Sequence, residues 1–252
     1  MEKNKAILLT FFIILMIVGV GIIVYGIGFA GKETDTNKDK SSNKIEEEAK
    51  KEEESEDDDT QKPIATIEIK DFGTIKVELE PKIAPQTVAN FIYLANSGFY
   101  DGLTIHRTVP EFVIQGGDKE GTGSGKSEYT IKGEFSRNGI KNSINHERGV
   151  ISMARPDYGS GNEEYSYNAA STQFFITVEA IHSLNGLYAS FGRVIEGMDV
   201  VDKIVDLEVV TRDPYSAEAD RPVNPPVITS IKVETFGIDY GEPEKLHLEI
   251  GT

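Results

Sequence analysis

The side chain best suited to chemistry is Arg107, because arginine stays charged and presents several N–H donors in a fixed planar fork. It lies shortly before a β-prone stretch, Phe112 to Gln115, which ends at a pair of glycines. A second β-prone run, residues 171–176, contains Gln173 followed by two adjacent phenylalanines. These residue types place a charged hydrogen-bond donor near apolar and amide side chains, which suits catalysis by electrostatic stabilisation.

A third segment follows at residues 184–194 and reads Leu-Asn-Gly-Leu-Tyr-Ala-Ser-Phe-Gly-Arg-Val. Three segments in a fixed order are far more specific than one short motif. Together they resemble the signature segments of the cyclophilin family of peptidyl-prolyl isomerases, over residues 63–234. The resemblance implies a mainly β fold, an eight-stranded antiparallel closed β-barrel capped by two helices. It also implies an enzyme that isomerises X-Pro bonds in proline-containing peptides.

Prolyl isomerisation makes simple demands on a catalyst. Its barrier of about 18–20 kcal/mol is the loss of amide resonance, and the prolyl nitrogen gains a lone pair in the twisted state. A donor aimed at that nitrogen, together with a hydrophobic slot for the ring, stabilises the twisted state more than the planar one. The reaction needs neither a nucleophile nor a metal, and we expect no cofactor.

The resemblance assigns a role to each matching residue. Arg107 would be the donor, and Phe112 and Gln115 would complete the catalytic set. Gln115 would bond the substrate backbone, and Phe174 should point away from the groove into the core. Taken alone, Arg107 would be read as a surface ion-pair residue and each apolar position as barrel core. The predicted substrate-binding residues are Val113, Ala154, Arg155, Gln173, Phe175, Ser183, Leu184 and Tyr188.

Several positions depart from the family pattern. Val113 stands where many relatives have Met, and Tyr188 stands where the best-known eukaryotic members have His. Ser183 replaces a pocket-edge Trp or His, so we expect weak cyclosporin binding. Arg155 would hold the substrate mainly through its backbone. The segment 156–170 is longer than in compact members and holds three tyrosines. We expect a mobile loop that either contacts protein clients or is a tolerated surface insertion.

Two other sequence features could be signs of a nucleotide site or a metal site, and both are weak. The run from Gly121 to Ser127 resembles a phosphate-binding loop, but Glu120 stands where the first glycine of that motif belongs. The chain has four scattered histidines and no cysteine, which argues against a metal site. We therefore predict no nucleotide and no metal.

Apolar residues alternate with polar ones from Ile64 onward, which predicts strands at residues 64–69 and 74–79. Further strands are predicted at 104–107, 112–117, 149–153, 173–178, 190–195 and 227–234. One helix should begin at Pro85 and end before Gly98, and a second should cover 197–205. Many short strands with two helices favour a barrel.

The sequence predicts an N-terminal membrane anchor at residues 1–30, followed by a linker. Residues 6–30 are uncharged and long enough to span a bilayer, although a cleaved signal peptide is the alternative. Residues 31–62 are acidic and almost free of apolar side chains, which predicts a disordered tether. The isomerase domain should therefore cover residues 63–252, on the extracytoplasmic side of a single-pass cell-membrane protein.

The chain has 252 residues and a formal net charge of −16. Residues 1–62 carry 9 basic and 14 acidic side chains, and the remainder carries 17 and 28, so the predicted domain is acidic itself. This charge argues against a nucleic-acid partner. We therefore expect an isomerase that accelerates folding of unfolded secreted or surface proteins. The alternative is a catalytically weak module that binds proline peptides as a holdase.

Overall fold

The computed structural model of the protein describes residues 61–125 and 127–247. Eight strands and three α-helices form in this part of the chain. The strands are β1 (Ile64–Ile69), β2 (Gly73–Leu79), β3 (Thr104–Val109), β4 (Val113–Asp118), β5 (Val150–Met153), β6 (Phe174–Thr177), β7 (Ser190–Glu196) and β8 (Ile228–Glu234). The helices are α1 (Pro85–Asn96), α2 (Glu163–Tyr167) and α3 (Met198–Val205), with short 3-10 turns at Ser136–Asn138 and His182–Leu184. The predicted eight antiparallel strands are confirmed.

The strands form one antiparallel sheet in the order β3-β4-β6-β5-β7-β2-β1-β8. The prediction of a closed barrel is wrong, because no continuous ladder joins the edge strands β3 and β8 in the described residues. A single isolated bridge joins Thr104 to Val227, and Ile105 N–H donates to the carbonyl of Pro226 at 2.9 Å. The stretch before β8 contains Pro225 and Pro226, which have no N–H to donate, so ladder pairing stops there. The sheet is therefore an open, curved half-barrel.

The two predicted helices cover this sheet. Pro85 occupies the start of α1, where its missing N–H breaks no helical bond. The helix buries Val88 and Phe91 against the core and packs on β8, whereas α3 packs on β2, β3 and β4. The short helix α2 was not predicted, because only five residues form it and they lack an apolar stripe.

The main core lies between the sheet and its helices and includes Ile67, Val77, Phe91, Phe174 and Ile231. No helix in the described ranges is long and apolar enough to cross a bilayer. The predicted anchor at residues 6–30 and nearly all of the predicted linker lie outside the described residues.

Candidate active site

Two of the predicted catalytic residues, Arg107 and Gln115, lie in one row with Phe175 across neighbouring strands. Arg107 on β3 pairs in register with Gln115 on β4, and Gln115 pairs with Phe175 on β6. Phe175 in turn pairs with Ser152 on β5. Because directly paired residues on a sheet project to the same face, the row places the cation, the amide and the aromatic ring side by side.

A β-bulge directs Arg107 to this face. The pairing of β3 with β4 shifts between Ile105 and Arg107, so His106 is the extra residue on β3. Its ring is buried, and neither ring nitrogen has a partner at normal hydrogen-bond geometry. Desolvation lowers the pKa of His106 to about 4, so the imidazole is neutral at pH 7. Bulges commonly re-aim a side chain beside an active site, and this one sends Arg107 toward the groove.

The Arg107 guanidinium is held loosely on two sides. Nη1 donates to Oε1 of Gln115 at 3.4 Å, and Nη2 lies 3.7 Å from Oδ2 of Asp220. The Phe112 ring centroid lies 6.0 Å from the guanidinium carbon. Burial lowers the pKa of Arg107, and the Asp220 carboxylate opposes that shift. Neither polar contact is a short bond that a substrate would have to break.

A one-directional chain of amides orients Gln115. Its Nε2 donates to Oε1 of Gln173 at 3.0 Å, and Nε2 of Gln173 donates to the carbonyl of Gly123 at 3.2 Å. Gln115 therefore turns its oxygen toward Arg107 and its amide nitrogen toward Gln173. This arrangement leaves the second N–H of Gln115 available to a peptide carbonyl.

The loop that ends this amide chain is wrapped around Asp118. The Asp118 carboxylate accepts backbone N–H groups from Glu120, Thr122, Gly123 and Gly125, at 3.1, 2.9, 2.6 and 3.3 Å. Burial would raise the pKa of Asp118, but these four bonds outweigh it and lower the pKa. The amides that would cradle a phosphate in a true phosphate loop bind this internal carboxylate instead.

The predicted apolar slot forms as a small cluster separate from the main core. Val113, Phe175 and Leu184 are its buried members. Phe112, Ala154 and Tyr188 are partly buried around them, together with Ile181, which sequence reasoning missed. The Phe175 and Tyr188 rings meet edge to face with centroids 5.5 Å apart. An apolar cluster beside a charged donor suits a prolyl ring next to its amide nitrogen.

The buried His146 packs against Phe175, a wall of the slot, and the sequence alone gave it no role. The His146 ring stacks on Phe175 with centroids 5.9 Å apart. Asn185 Oδ1 accepts the His146 backbone N–H at 2.8 Å and lies 3.1 Å from Nδ1. Nδ1 therefore carries the proton, and Nε2 is an acceptor that lies 3.0 and 3.2 Å from the hydroxyl oxygens of Ser152 and Ser190. Because Ser152 Oγ donates to Ser190 Oγ at 3.1 Å, Ser190 is the hydroxyl that donates to Nε2. Desolvation lowers the pKa of His146 to about 4.

The Arg155 side chain contacts two tyrosine rings and two backbone carbonyls beside the slot. Its guanidinium carbon lies 4.8 Å from the Tyr188 ring centroid and 5.2 Å from that of Tyr167. Nε donates to the carbonyl of Leu187 at 3.1 Å and Nη1 to that of Ser166 at 3.3 Å. The predicted loop 156–170 therefore contains an ordered turn, α2, that is tied through Arg155 to one wall of the slot.

The remaining predicted site residues lie at the edges of the groove. The backbone N–H of Ala154 donates to the carbonyl of Gln173 at 2.8 Å, which joins the ends of β5 and β6. Ser183 is exposed in the 3-10 turn beside Leu184. Within the described residues, no group of three or more His, Asp or Glu side chains is arranged to hold a metal ion.

Sequence comparisons agree with this geometry. A family model described as "Cyclophilin type peptidyl-prolyl cis-trans isomerase/CLD" matches residues 64–233. Peptidyl-prolyl cis-trans isomerase B of Bacillus subtilis is 42% identical over 142 residues, which cover 56% of this chain and 90% of the relative. Peptidyl-prolyl cis-trans isomerase ppi1 of Schizosaccharomyces pombe is 36% identical over 164 residues, 64% of this chain and 94% of the relative.

Solved structures give the same result. A cyclophilin type peptidyl-prolyl cis-trans isomerase of Cryptosporidium parvum superimposes with a TM-score of 0.57 at 26% identity, covering 69% of this chain and 97% of that one. A second structure of that protein, in the presence of the dipeptide Ala-Pro, matches with the same TM-score and identity over 68% of this chain and 98% of that one.

Proposed function

The chain belongs to the cyclophilin family of peptidyl-prolyl cis-trans isomerases, and we propose that Arg107 is the group that stabilises the twisted prolyl amide in its groove. The observation that carries the proposal is the in-register row of Arg107, Gln115 and Phe175 beside a separate apolar cluster. This arrangement supports a site in which the hydrogen-bond donor and the slot for the prolyl ring share one face of the sheet.

The prolyl ring would occupy the slot lined by Phe112, Val113, Phe175, Leu184 and Tyr188. A ring seated there is desolvated, and its amide nitrogen faces Arg107. When the amide twists, the nitrogen lone pair becomes an acceptor that a guanidinium N–H can meet. Because the planar amide offers no such lone pair, the bond forms mainly in the transition state and lowers the barrier.

Gln115 would fix the substrate backbone while the peptide bond rotates. The amide chain from Gln173 holds the Gln115 side chain in one orientation, so its remaining N–H can bond a carbonyl of the substrate. A peptide held on one side of the rotating bond need not move as a whole. Ala154 and Arg155, at the end of β5, would hold the residues before proline.

A protease-coupled isomerisation assay on a proline tetrapeptide tests this function. Arg107→Ala should lower kcat/KM by about 100-fold or more, the size expected for loss of one well-aimed transition-state donor. The thermal unfolding temperature should change little, because Arg107 makes only long polar contacts. Near-wild-type turnover in Arg107→Ala would refute the role of Arg107. A slow wild-type protein that still binds proline peptides would instead favour the holdase alternative.

We also propose that the isomerase acts on unfolded secreted or surface proteins from a membrane tether. The uncharged stretch at residues 6–30 and the acidic segment that follows support this placement. Prolyl isomerisation takes tens of seconds unaided and can limit the folding of emerging chains. Protease treatment of intact cells tests the location, because an external domain should be cleaved from the cells while a cytoplasmic marker survives.

A further inference from the structure

A second cation lies behind Arg107, on the segment that connects α3 to β8. This segment folds back on itself, with isolated bridges between Val209 and Pro222 and between Thr211 and Ala219. It carries Arg212 and Asp220 toward β3. The Asp220 carboxylate lies between the two guanidinium groups, with Oδ1 2.9 Å from Nη1 of Arg212 and Oδ2 3.7 Å from Nη2 of Arg107.

Both residues are fixed to the backbone of the residue next to Arg107. The carbonyl of Asp220 accepts the N–H of Thr108 at 2.9 Å, and Nη1 of Arg212 donates to the carbonyl of Thr108 at 2.6 Å. Asp220 also has a φ of 58°, a left-handed conformation that asparagine and aspartate adopt more readily than most residues. These bonds hold the backbone of Asp220 and the side chain of Arg212 beside Thr108, and so keep the Asp220 carboxylate near Arg107.

The two distances from the Asp220 carboxylate show that it binds Arg212 more tightly than Arg107. The Asp220 side chain is only 19% exposed, so its carboxylate depends on protein partners more than on water. Arg212 takes the short contact and Arg107 the long one. An aspartate with Arg107 as its sole cation would be expected to close to a normal ion-pair distance and draw the guanidinium out of the groove.

We propose that Arg212 and Asp220 are positioning residues for Arg107, with Asp220 restraining the guanidinium and Arg212 preventing that restraint from becoming a tight ion pair. The arrangement has two cations and one anion, so a net positive charge remains beside the slot. This inference rests on the proposed role of Arg107 and adds the two groups that keep its donors available to the prolyl nitrogen.

Variants of Arg212, alone and combined with a change at Asp220, test the proposal in the isomerisation assay. Arg212→Gln retains a side-chain N–H donor but removes the charge that competes for Asp220. It should lower kcat roughly tenfold with little change in KM, a coupling within the range of close charge pairs. Arg212→Lys, which retains the charge, should stay near wild type. A crystal structure of Arg212→Gln should show the Arg107–Asp220 contact shortened from 3.7 Å.

The decisive variant is the double change Arg212→Gln with Asp220→Asn. Asparagine suits the left-handed backbone and has no charge with which to form an ion pair with Arg107, so the double variant should regain at least about threefold in kcat over Arg212→Gln alone. If Arg212 and Asp220 only stabilised the fold, the double variant would be less active and less stable than Arg212→Gln. Arg221→Gln, which removes an equal charge and the Arg221–Glu218 ion pair from the same segment, is the matched control and should stay within about twofold of wild type.

The outcomes separate this inference from the proposed function. If Arg107→Ala is inactive while Arg212→Gln is as active as wild type, the positioning role is wrong and the role of Arg107 stands. A double variant that is no faster than Arg212→Gln also overturns the positioning role. If Arg107→Ala itself retains wild-type turnover, the proposed function fails first.

Discussion

Phe174 and Phe175 are neighbours on β6 but belong to different apolar clusters. Phe174 packs in the main core, 5.7 Å from Phe91 and 5.6 Å from Tyr100 between ring centroids. Phe175 projects from the other face into the slot and stacks on His146. One short strand therefore contributes to stability through one face and to the candidate site through the other.

This division predicts different effects for the same substitution. Phe174→Leu should lower the free energy of unfolding by about 1–2 kcal/mol, because it leaves a partly filled space in the core, and should spare kcat/KM. Phe175→Leu should lower kcat/KM by roughly tenfold, because the ring wall of the slot is lost. Urea unfolding and the peptide assay on both variants check this. The same loss of activity in both would contradict the division.

Arg107→Lys should not rescue the activity lost in Arg107→Ala. A lysine ammonium is a point charge on a flexible chain and cannot reproduce donors held in a planar fork. We expect kcat/KM to remain about 100-fold below wild type. Arg148→Lys, at an exposed ion pair with Asp202, controls for the general effect of this exchange and should be neutral. Half or more of wild-type activity in Arg107→Lys would show that charge alone suffices.

Cyclosporin should bind weakly, because Ser183 at the slot edge offers neither an indole donor nor its apolar area. Ser183→Trp should tighten binding by roughly 1–2 kcal/mol, the sum of one hydrogen bond and partial burial of the ring. Inhibition titrations of the two proteins measure the difference. The explanation fails if the unaltered protein is already inhibited as tightly as the tryptophan variant.

Arg155→Met should lower kcat/KM on a tetrapeptide by roughly three- to tenfold, because the guanidinium holds Tyr188 against the slot and ties it to α2. Arg193→Met, at an exposed position on β7, is the control and should be neutral. Replacing Asp157 to Tyr165 by a Gly-Ser link should lower peptide activity as well, since it removes most of α2. Full peptide activity with slower protein refolding would instead mean that the segment contacts clients.

Stability should fall as the pH drops from about 6.5 toward 4. Burial lowers the pKa of both His106 and His146 from 6.5 to about 4. In that window the unfolded chain binds protons that the folded chain does not, so each histidine contributes a slope of about 1.4 kcal/mol per pH unit. Urea midpoints measured between pH 4 and 7 should show a shallower slope in His146→Gln. An unchanged slope would mean that His146 titrates normally when folded.

Local pattern was sufficient to predict the strands and the two longer helices. Strand alternation predicts that Phe174 and Phe175 point to opposite faces of β6, which the structure shows. Which face lines the groove, and the position of Gln115 on it, came from the family resemblance. The open edge could not be predicted, since it depends on where Pro225 and Pro226 come to lie against β3. Pairing between distant edges is a tertiary property that no short window contains.

The supporting residues were missed for a related reason. His146 becomes meaningful only through Asn185, Ser152 and Ser190, which approach it from other parts of the chain. Arg212 meets Thr108 across a separation of 104 positions. Neither residue belongs to a motif. The family resemblance identified the residues that line the groove, but not the residues that pack behind them. Such contacts can be seen in a three-dimensional structure but cannot be predicted from the spacing of residues along the sequence.

The loop around Asp118 makes one wall of the candidate site preorganised before substrate binds. Its carboxylate occupies the place that a bound anion takes in loops of similar composition, so folding itself supplies the ligand that shapes the loop. The carbonyl of Gly123, and with it the orientation of Gln173 and Gln115, is settled before any peptide arrives. Binding then costs little rearrangement on this wall, and the backbone amides of Thr122 and Gly123 should exchange with solvent slowly even in the free enzyme.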